Sequence, residues 1–206
     1  MENQYLRVHN FAPCTGSLGP GRRTILWLQG CERRCPGCMS PESRSLQGGH
    51  LIPLEEVYKR ITRENLKEVT ISGGEPFLQS RALSSLTERL HSDGYGIIIY
   101  TGYTLEELYG KKDEYISKVL DSIDLLIDGE YVDDLNDGRR FVGSSNQRII
   151  SLSGRYPLSL LRENYNSFHR DDSLDSIAND DGIFVLGVPS KEMLEKLKNL
   201  NLQVGK

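Results

Sequence analysis

Short apolar runs alternate with amphipathic stretches along this 206-residue chain. Thr24-Ile-Leu-Trp-Leu-Gln29 is an apolar run bounded by turn residues, which predicts a buried strand. Glu68–Ser72, Gly96–Thr101 and Ile123–Asp128 repeat the pattern, and each of the four is followed or bounded by glycine and polar residues. Between the first two, Leu54, Val57, Tyr58 and Ile61 fall at i, i+3, i+4 and i+7, predicting a helix from Pro53 to about Glu64, where proline suits the first turn. Leu83, Leu86 and Leu90 make one stripe of a second helix, Leu78–Ser92, which Gly94 ends. Leu105–Tyr109 and Glu114–Leu120 predict shorter helical pieces. Tyr5–Phe11 alternates weakly as a lead-in strand, Leu46–Ile52 reads as a glycine-containing connection, and Gln147–Leu152 reads as a fifth main strand.

Strand–helix repetition of this kind predicts the α/β class, with a mostly parallel sheet and right-handed crossovers. The polar loops after the strands would then converge on one face. Residues 1–152 are expected to form the core, and 153–206 a C-terminal extension packed on the same domain. Arg162–Asp181 is polar, contains five aspartates and predicts a long exposed loop. Gly182–Gly187 predicts a late strand, followed by a helix with Met193, Leu194, Leu197 and Leu200.

Composition narrows the class only a little. Hydrophobic residues at 37% and charged residues at 26% describe a soluble, globular chain. No run approaches the roughly 18 apolar residues of a membrane span. Met1–Phe11 lacks the apolar core of a secretory signal, so a reducing cytoplasm is the expected compartment. The net charge of −4 gives no basis for nucleic-acid binding. His9, His50, His91 and His169 are scattered and read as structural or surface groups, Trp27 as core, and the late aspartates lack calcium-loop spacing.

The chemistry concentrates in Gly30-Cys-Glu-Arg-Arg-Cys-Pro-Gly-Cys38. Three of the four cysteines, Cys31, Cys35 and Cys38, stand there in a C-x3-C-x2-C spacing. Three thiolates on a short loop can converge on one inorganic centre. An iron–sulfur cube takes four ligands, so three cysteines leave one iron open. A structural zinc site that adds Cys14 is the rival reading, and reactive thiols without metal are the third. Ser72-Gly-Gly-Glu-Pro76, Thr101-Gly-Tyr-Thr104 and Asp128-Gly129 follow successive strands. They are either ordinary turns or the lining of a common mouth.

The cysteine spacing resembles the signature of the radical S-adenosylmethionine (SAM) superfamily. Together with Gly19-Pro-Gly21, Arg23-Thr24, Gln29-Gly30, Cys35-Pro-Gly-Cys38, Ser72-Gly-Gly-Glu-Pro76, Thr101-Gly-Tyr103, Leu126-Ile-Asp-Gly129 and Gly143-Ser-Ser-Asn-Gln147, it resembles the branch of anaerobic ribonucleotide reductase activating proteins. The resemblance implies a partial (β/α) barrel open on one side. It implies a [4Fe-4S] cluster on Cys31, Cys35 and Cys38, with SAM on the fourth iron. It places the SAM contacts at Gly37, Ser72, Gly73, Gly74, Glu75, Thr101 and Asp128, where Gly73 and Gly74 permit close backbone approach.

The implied reaction is reductive cleavage of SAM to methionine and a 5′-deoxyadenosyl radical, which takes a hydrogen atom from a glycine of a large glycyl-radical enzyme. The chemistry would be carried by the cofactors, with no side chain as acid or base. The implied electron donor is a low-potential flavodoxin or ferredoxin, for which Arg22, Arg23, Arg33 and Arg34 offer a basic docking edge or merely a solvated loop. The tail after about Arg148 exceeds the compact members of the branch. It leaves room for another radical SAM target: a peptide, a nucleotide or a small metabolite.

Overall fold

The computed structural model describes residues 4–157, 159–161, 175–179 and 182–187, with Pro189, Glu192, Met193, Lys196 and Asn199 beyond them. Most of the expected C-terminal helix and most of the expected 162–181 loop lie outside the described residues.

β1 (Tyr5–Thr15) pairs antiparallel with β2 (Arg23–Leu28) and with β3 (His50–Pro53). Helix α1 (Leu54–Thr62) leads to β4 (Glu68–Gly73), α2 (Ser80–Ser92) to β5 (Gly96–Tyr100), and α3 (Leu105–Gly110) with α4 (Glu114–Ser122) to β6 (Leu125–Asp128). β2, β4, β5 and β6 are parallel neighbours. β7 (Arg148–Ser151) returns antiparallel to β6, which gives a seven-stranded sheet in the order β3-β1-β2-β4-β5-β6-β7. β8 (Asp175–Asn179) and β9 (Gly182–Leu186) form a separate antiparallel ribbon.

The α/β class and the four parallel strands agree with the apolar runs, but the sheet is not mostly parallel. Three of its six pairings are parallel and three antiparallel, and the ribbon adds a fourth antiparallel one. The reason is that the flanking strands return through connections without a crossover helix, which only an antiparallel neighbour allows. Two short strands also stand where other structure is expected. β3 occupies part of the stretch read as a connection, and β8 occupies part of the stretch read as loop. Four or five residues at a sheet margin carry too few apolar positions to display a period.

The central strands are apolar at every position because both faces are covered. On one face Leu26, Leu28, Val69, Ile71, Ile97, Ile99 and Leu126 meet Val57 and Ile61 of α1, Leu83, Leu86 and Leu90 of α2, and Ile116 and Val119 of α4. The alternate residues point the other way. Ile98, Leu125 and Ile127 pack with Val142, Tyr156 and Leu161, while Ile25 and Trp27 pack with Ala12, Leu18 and Leu186. The ribbon therefore closes over the Trp27 side through Leu186, and the Gly16 amide adds a hydrogen bond to Asp175 at 2.9 Å.

Arg23 is fully buried beneath this second face. Its guanidinium donates to the Pro20 carbonyl, to the Val69 carbonyl at 3.3 Å and to the Tyr156 hydroxyl at 3.2 Å, and it pairs with Glu68 at 3.4 Å. It is a brace within the fold and offers nothing to a docking protein.

Candidate active site

Leu28 ends β2, and the chain turns at Gly30 into the cysteine loop. Gln29 holds that loop at both ends. Its side-chain amide donates to the carbonyls of Ser45 at 2.8 Å and Glu42 at 3.3 Å, so the returning 3-10 turn Pro41–Arg44 is tied to the strand end. The Cys31 amide donates to Arg44 at 3.0 Å, and the Gly30 amide to Ser43 at 2.8 Å. Cys31, Cys35 and Cys38 are free and half-buried.

Gly73 and Gly74 end β4 against that loop. A Cβ on Gly74 would lie 2.2 Å from the Gly30 carbonyl oxygen, and one on Gly73 2.2 Å from that of Leu28. The amides of Gly74 and Glu75 donate to these same two carbonyls, Leu28 and Gly30, each at 2.8 Å. The close approach that glycine permits is thus used first by the chain's own backbone, which fastens the Gly-Gly-Glu turn to the root of the cysteine loop.

Glu75 is buried at 1% exposure. Its carboxylate accepts from the Phe77 amide at 3.1 Å, the Thr101 hydroxyl at 2.8 Å and the Gly102 amide at 2.9 Å. Burial pushes its pKa up, and these three donors with nearby Arg33 oppose the shift. Glu75 thus joins the end of β4 to the end of β5.

The strand ends and the loop enclose a cleft of about 140 Å³ that opens to solvent. Cys31, Cys35, Cys38, Ser72, Gly73, Gly74, Glu75 and Thr101 all line it. Gly37 and Asp128 do not. Gly37 takes a left-handed turn with φ of 67° beside Asp133. The Asp128 carboxylate is taken by the Leu105 amide at 2.8 Å and by the Arg148 Nε at 2.9 Å.

Other lining residues escaped the sequence reading. Arg33 was read only as part of a basic edge, yet it stacks 4.5 Å from the Tyr103 ring and pairs with Glu107 at 3.1 Å and Glu130 at 3.2 Å. Gln147 lines the far wall, held by the Gly143 amide at 2.7 Å and the Gly129 carbonyl at 2.8 Å. The Gly-Ser-Ser-Asn-Gln motif was its only signal. Tyr100 and Trp27 line the cleft from positions that looked like ordinary core.

The donor set fits a metal cluster. Burial raises the Cys31 thiol, and burial with Glu130 beside it pushes Cys35 up to about 12. Such thiols keep their protons until a metal cation replaces them. Among the described residues, no three His, Cys, Asp or Glu side chains gather tightly enough for a single ion. The Cys14 side chain lies outside the described residues.

Three thiols on the loop that follows a central parallel strand suit an iron–sulfur protein, and the model of the family described as a 4Fe-4S single cluster domain matches residues 17–150. The chain is 34% identical over 157 residues to the anaerobic ribonucleoside-triphosphate reductase-activating protein of Salmonella typhimurium, covering 71% of this chain and 99% of that one. It is 29% identical to the protein of the same name from Escherichia coli K12, with the same coverage. It is 32% identical to the pyruvate formate-lyase-activating enzyme of Clostridium pasteurianum, over 69% of this chain and 59% of that one. The chain belongs to this 4Fe-4S family of radical SAM activating proteins. No helix among the described residues is long and apolar enough to cross a membrane.

Proposed function

We propose that the chain installs a glycyl radical on an anaerobic ribonucleoside-triphosphate reductase. Cys31, Cys35 and Cys38 hold the [4Fe-4S] cluster, and Ser72, Gly73, Gly74, Glu75 and Thr101 form the wall against which SAM lies. The sheet forms a partial barrel whose inner face is the floor of this cleft. When bound, the cluster and SAM supply the electron and the deoxyadenosyl radical that removes a hydrogen atom. The electron comes from a low-potential flavodoxin or ferredoxin.

The chain's own part is positioning. Gln29 and the Gly74–Gly30 contact fix the cysteine loop relative to β4. Glu75 fixes the β4 end relative to Thr101 and Gly102. Leu18 and Trp27 keep water from the inner wall. One observation carries the reading: the three thiols and the Gly-Gly-Glu wall share a single cleft.

The test is anaerobic reconstitution with iron and sulfide, followed by reduction in the presence of SAM and the reductase. Four irons per chain and a glycyl radical signal on the reductase by electron spin resonance are expected. Cys31→Ala, Cys35→Ala and Cys38→Ala each abolish SAM cleavage, and Cys14→Ala does not. Deoxyadenosine without a protein radical would redirect the reading to another substrate, and stoichiometric zinc without iron would end it.

A further inference from the structure

Arg44 ends the 3-10 turn Pro41–Arg44, on the return of the cysteine loop. Successive carbonyls hold that return in place. The Gln29 side-chain amide donates to Glu42 and Ser45, the Gly30 amide to Ser43 and the Cys31 amide to Arg44. The Arg44 main chain is therefore fixed against that of the first cysteine, and Arg44 lines the cleft with all three thiols.

Two cationic residues, Arg33 and Arg44, line this cleft, and their surroundings differ. Arg33 is neutralised by Glu107 at 3.1 Å and Glu130 at 3.2 Å. Arg44 is half-buried, and among the described residues its guanidinium has no hydrogen bond and no carboxylate within ion-pair range. None of its nitrogens is shut away from solvent. A cation partly withdrawn from water without an anion beside it carries a cost, so its place here points to negative charge that arrives with a ligand.

Resting on the reading that Cys31, Cys35 and Cys38 hold the cluster, we propose that Arg44 raises the reduction potential of that cluster by stabilising the negative charge that reduction adds. The low-potential donor gives up one electron, and the cluster with its thiolates gains it; no bond breaks and no proton moves. Net charge is one of the quantities that set a cluster's potential. A fixed cation attracts the reduced state more strongly than the oxidised one, because the reduced state is more negative by one charge. The other charges beside the thiols act the opposite way. Glu75 stands near Cys31 and Glu130 near Cys35, and both are carboxylates. Burial pushes the Cys31 thiol up and Glu75 adds to the rise, while the Arg33 amide and the Arg44 charge pull it down, so the Arg44 charge is felt at a ligand sulfur. Arginine keeps its charge at any working pH. Arg44 thus acts where the electron enters, before SAM is cleaved.

The test is a potentiometric titration of the reconstituted chain without SAM, followed by electron spin resonance of the reduced cluster. Wild type is compared with Arg44→Lys, Arg44→Gln and Arg44→Glu. All four are expected to carry the same iron per chain. The equilibrium constant for one-electron reduction is expected to fall about tenfold in Arg44→Gln, a shift of about 59 mV to more negative potential. Arg44→Lys, which keeps the charge, stays within about twofold of wild type, and Arg44→Glu falls below Arg44→Gln. High salt narrows these gaps, since the guanidinium is open to solvent. Equal potentials for wild type and Arg44→Gln overturn the inference. So does an Arg44→Lys variant as low as Arg44→Gln, which would make the effect one of shape. Iron loss in Arg44→Gln would mean that the side chain serves loop assembly, and equal potentials with a tenfold weaker SAM affinity would mean that the cofactor takes the charge; either overturns it too. A wild-type chain that binds no iron would sink the cluster reading itself, and this inference with it.

Discussion

The Thr101 hydroxyl donates to the Glu75 carboxylate at 2.8 Å, joining the ends of β4 and β5. Because the Phe77 and Gly102 amides also converge on Glu75, its second oxygen cannot be exchanged for an NH2 without facing a donor. Glu75→Gln is therefore expected to lower stability by about 1–3 kcal/mol. Urea denaturation under anaerobic conditions measures this, and faster hydrogen exchange at the Gly102 amide would locate it. Equal midpoints for variant and wild type would show that the carboxylate is not needed there.

Gly74→Ala places a methyl group 2.2 Å from the Gly30 carbonyl oxygen, and both partners are backbone. The cysteine loop must move away from β4. The variant is expected to fold but to take up clearly less iron on reconstitution, with weaker absorbance from the cluster. Gly110→Ala is the control, since nothing lies within 4 Å of its Cβ position. Full iron loading in Gly74→Ala would show that the loop can shift and still bind.

Removing Arg23 takes from Glu68 its fully buried cation, although the Tyr156 hydroxyl still donates to it, and takes from the Val69 carbonyl a side-chain donor. Such a loss costs about 3–5 kcal/mol when both charges are deeply buried. Glu68 is 23% exposed and keeps Arg155 at 2.9 Å, so the lower end applies. Arg23→Met is expected to lower the melting temperature by roughly 5–10 °C. A calorimetric scan checks it, and a shift within a degree of the wild type would contradict the brace.

Arg148 bridges Asp128 at the end of β6 and Glu106 in α3, reaching Glu106 through two contacts of 3.1 and 2.7 Å. The hydrogen bonds from Arg148 lower the Glu106 carboxyl to about 2 from an ordinary value of 4.5. A depressed carboxylate adds stability above its unfolded value and loses it as pH falls toward the folded one. Glu106 is exposed, so the effect is screened by salt. The urea midpoint of the wild type should exceed that of Glu106→Gln at pH 7, and the gap should close between pH 4.5 and 2. A gap that widens in acid would give the pair the wrong sign.

The fold was legible where burial is two-sided and long. Ile97, Ile98 and Ile99 announce a central strand because both faces of the sheet are covered, so no polar position interrupts the run. The edge strand His50–Pro53 and the ribbon strand Asp175–Asn179 bury too little to leave a pattern. For the site, spacing alone was enough to group the cysteines with one another, since ligands within eight residues share a loop whatever the fold. It did not reveal that Gly37 and Asp128 stand outside the cleft, or that Arg23 is a buried brace. Those depend on partners far along the chain, such as Arg148 for Asp128 and Glu68 for Arg23.

The sequence by itself determined the thiol chemistry, the four parallel strands and the family, because these rest on local spacing and period. Only the tertiary structure decided the direction of the flanking strands and the fastening of Gly74 onto Gly30. A hydrogen bond or a steric stop needs two groups at a set separation in space. Position along the chain does not state that separation when the partners lie dozens of residues apart.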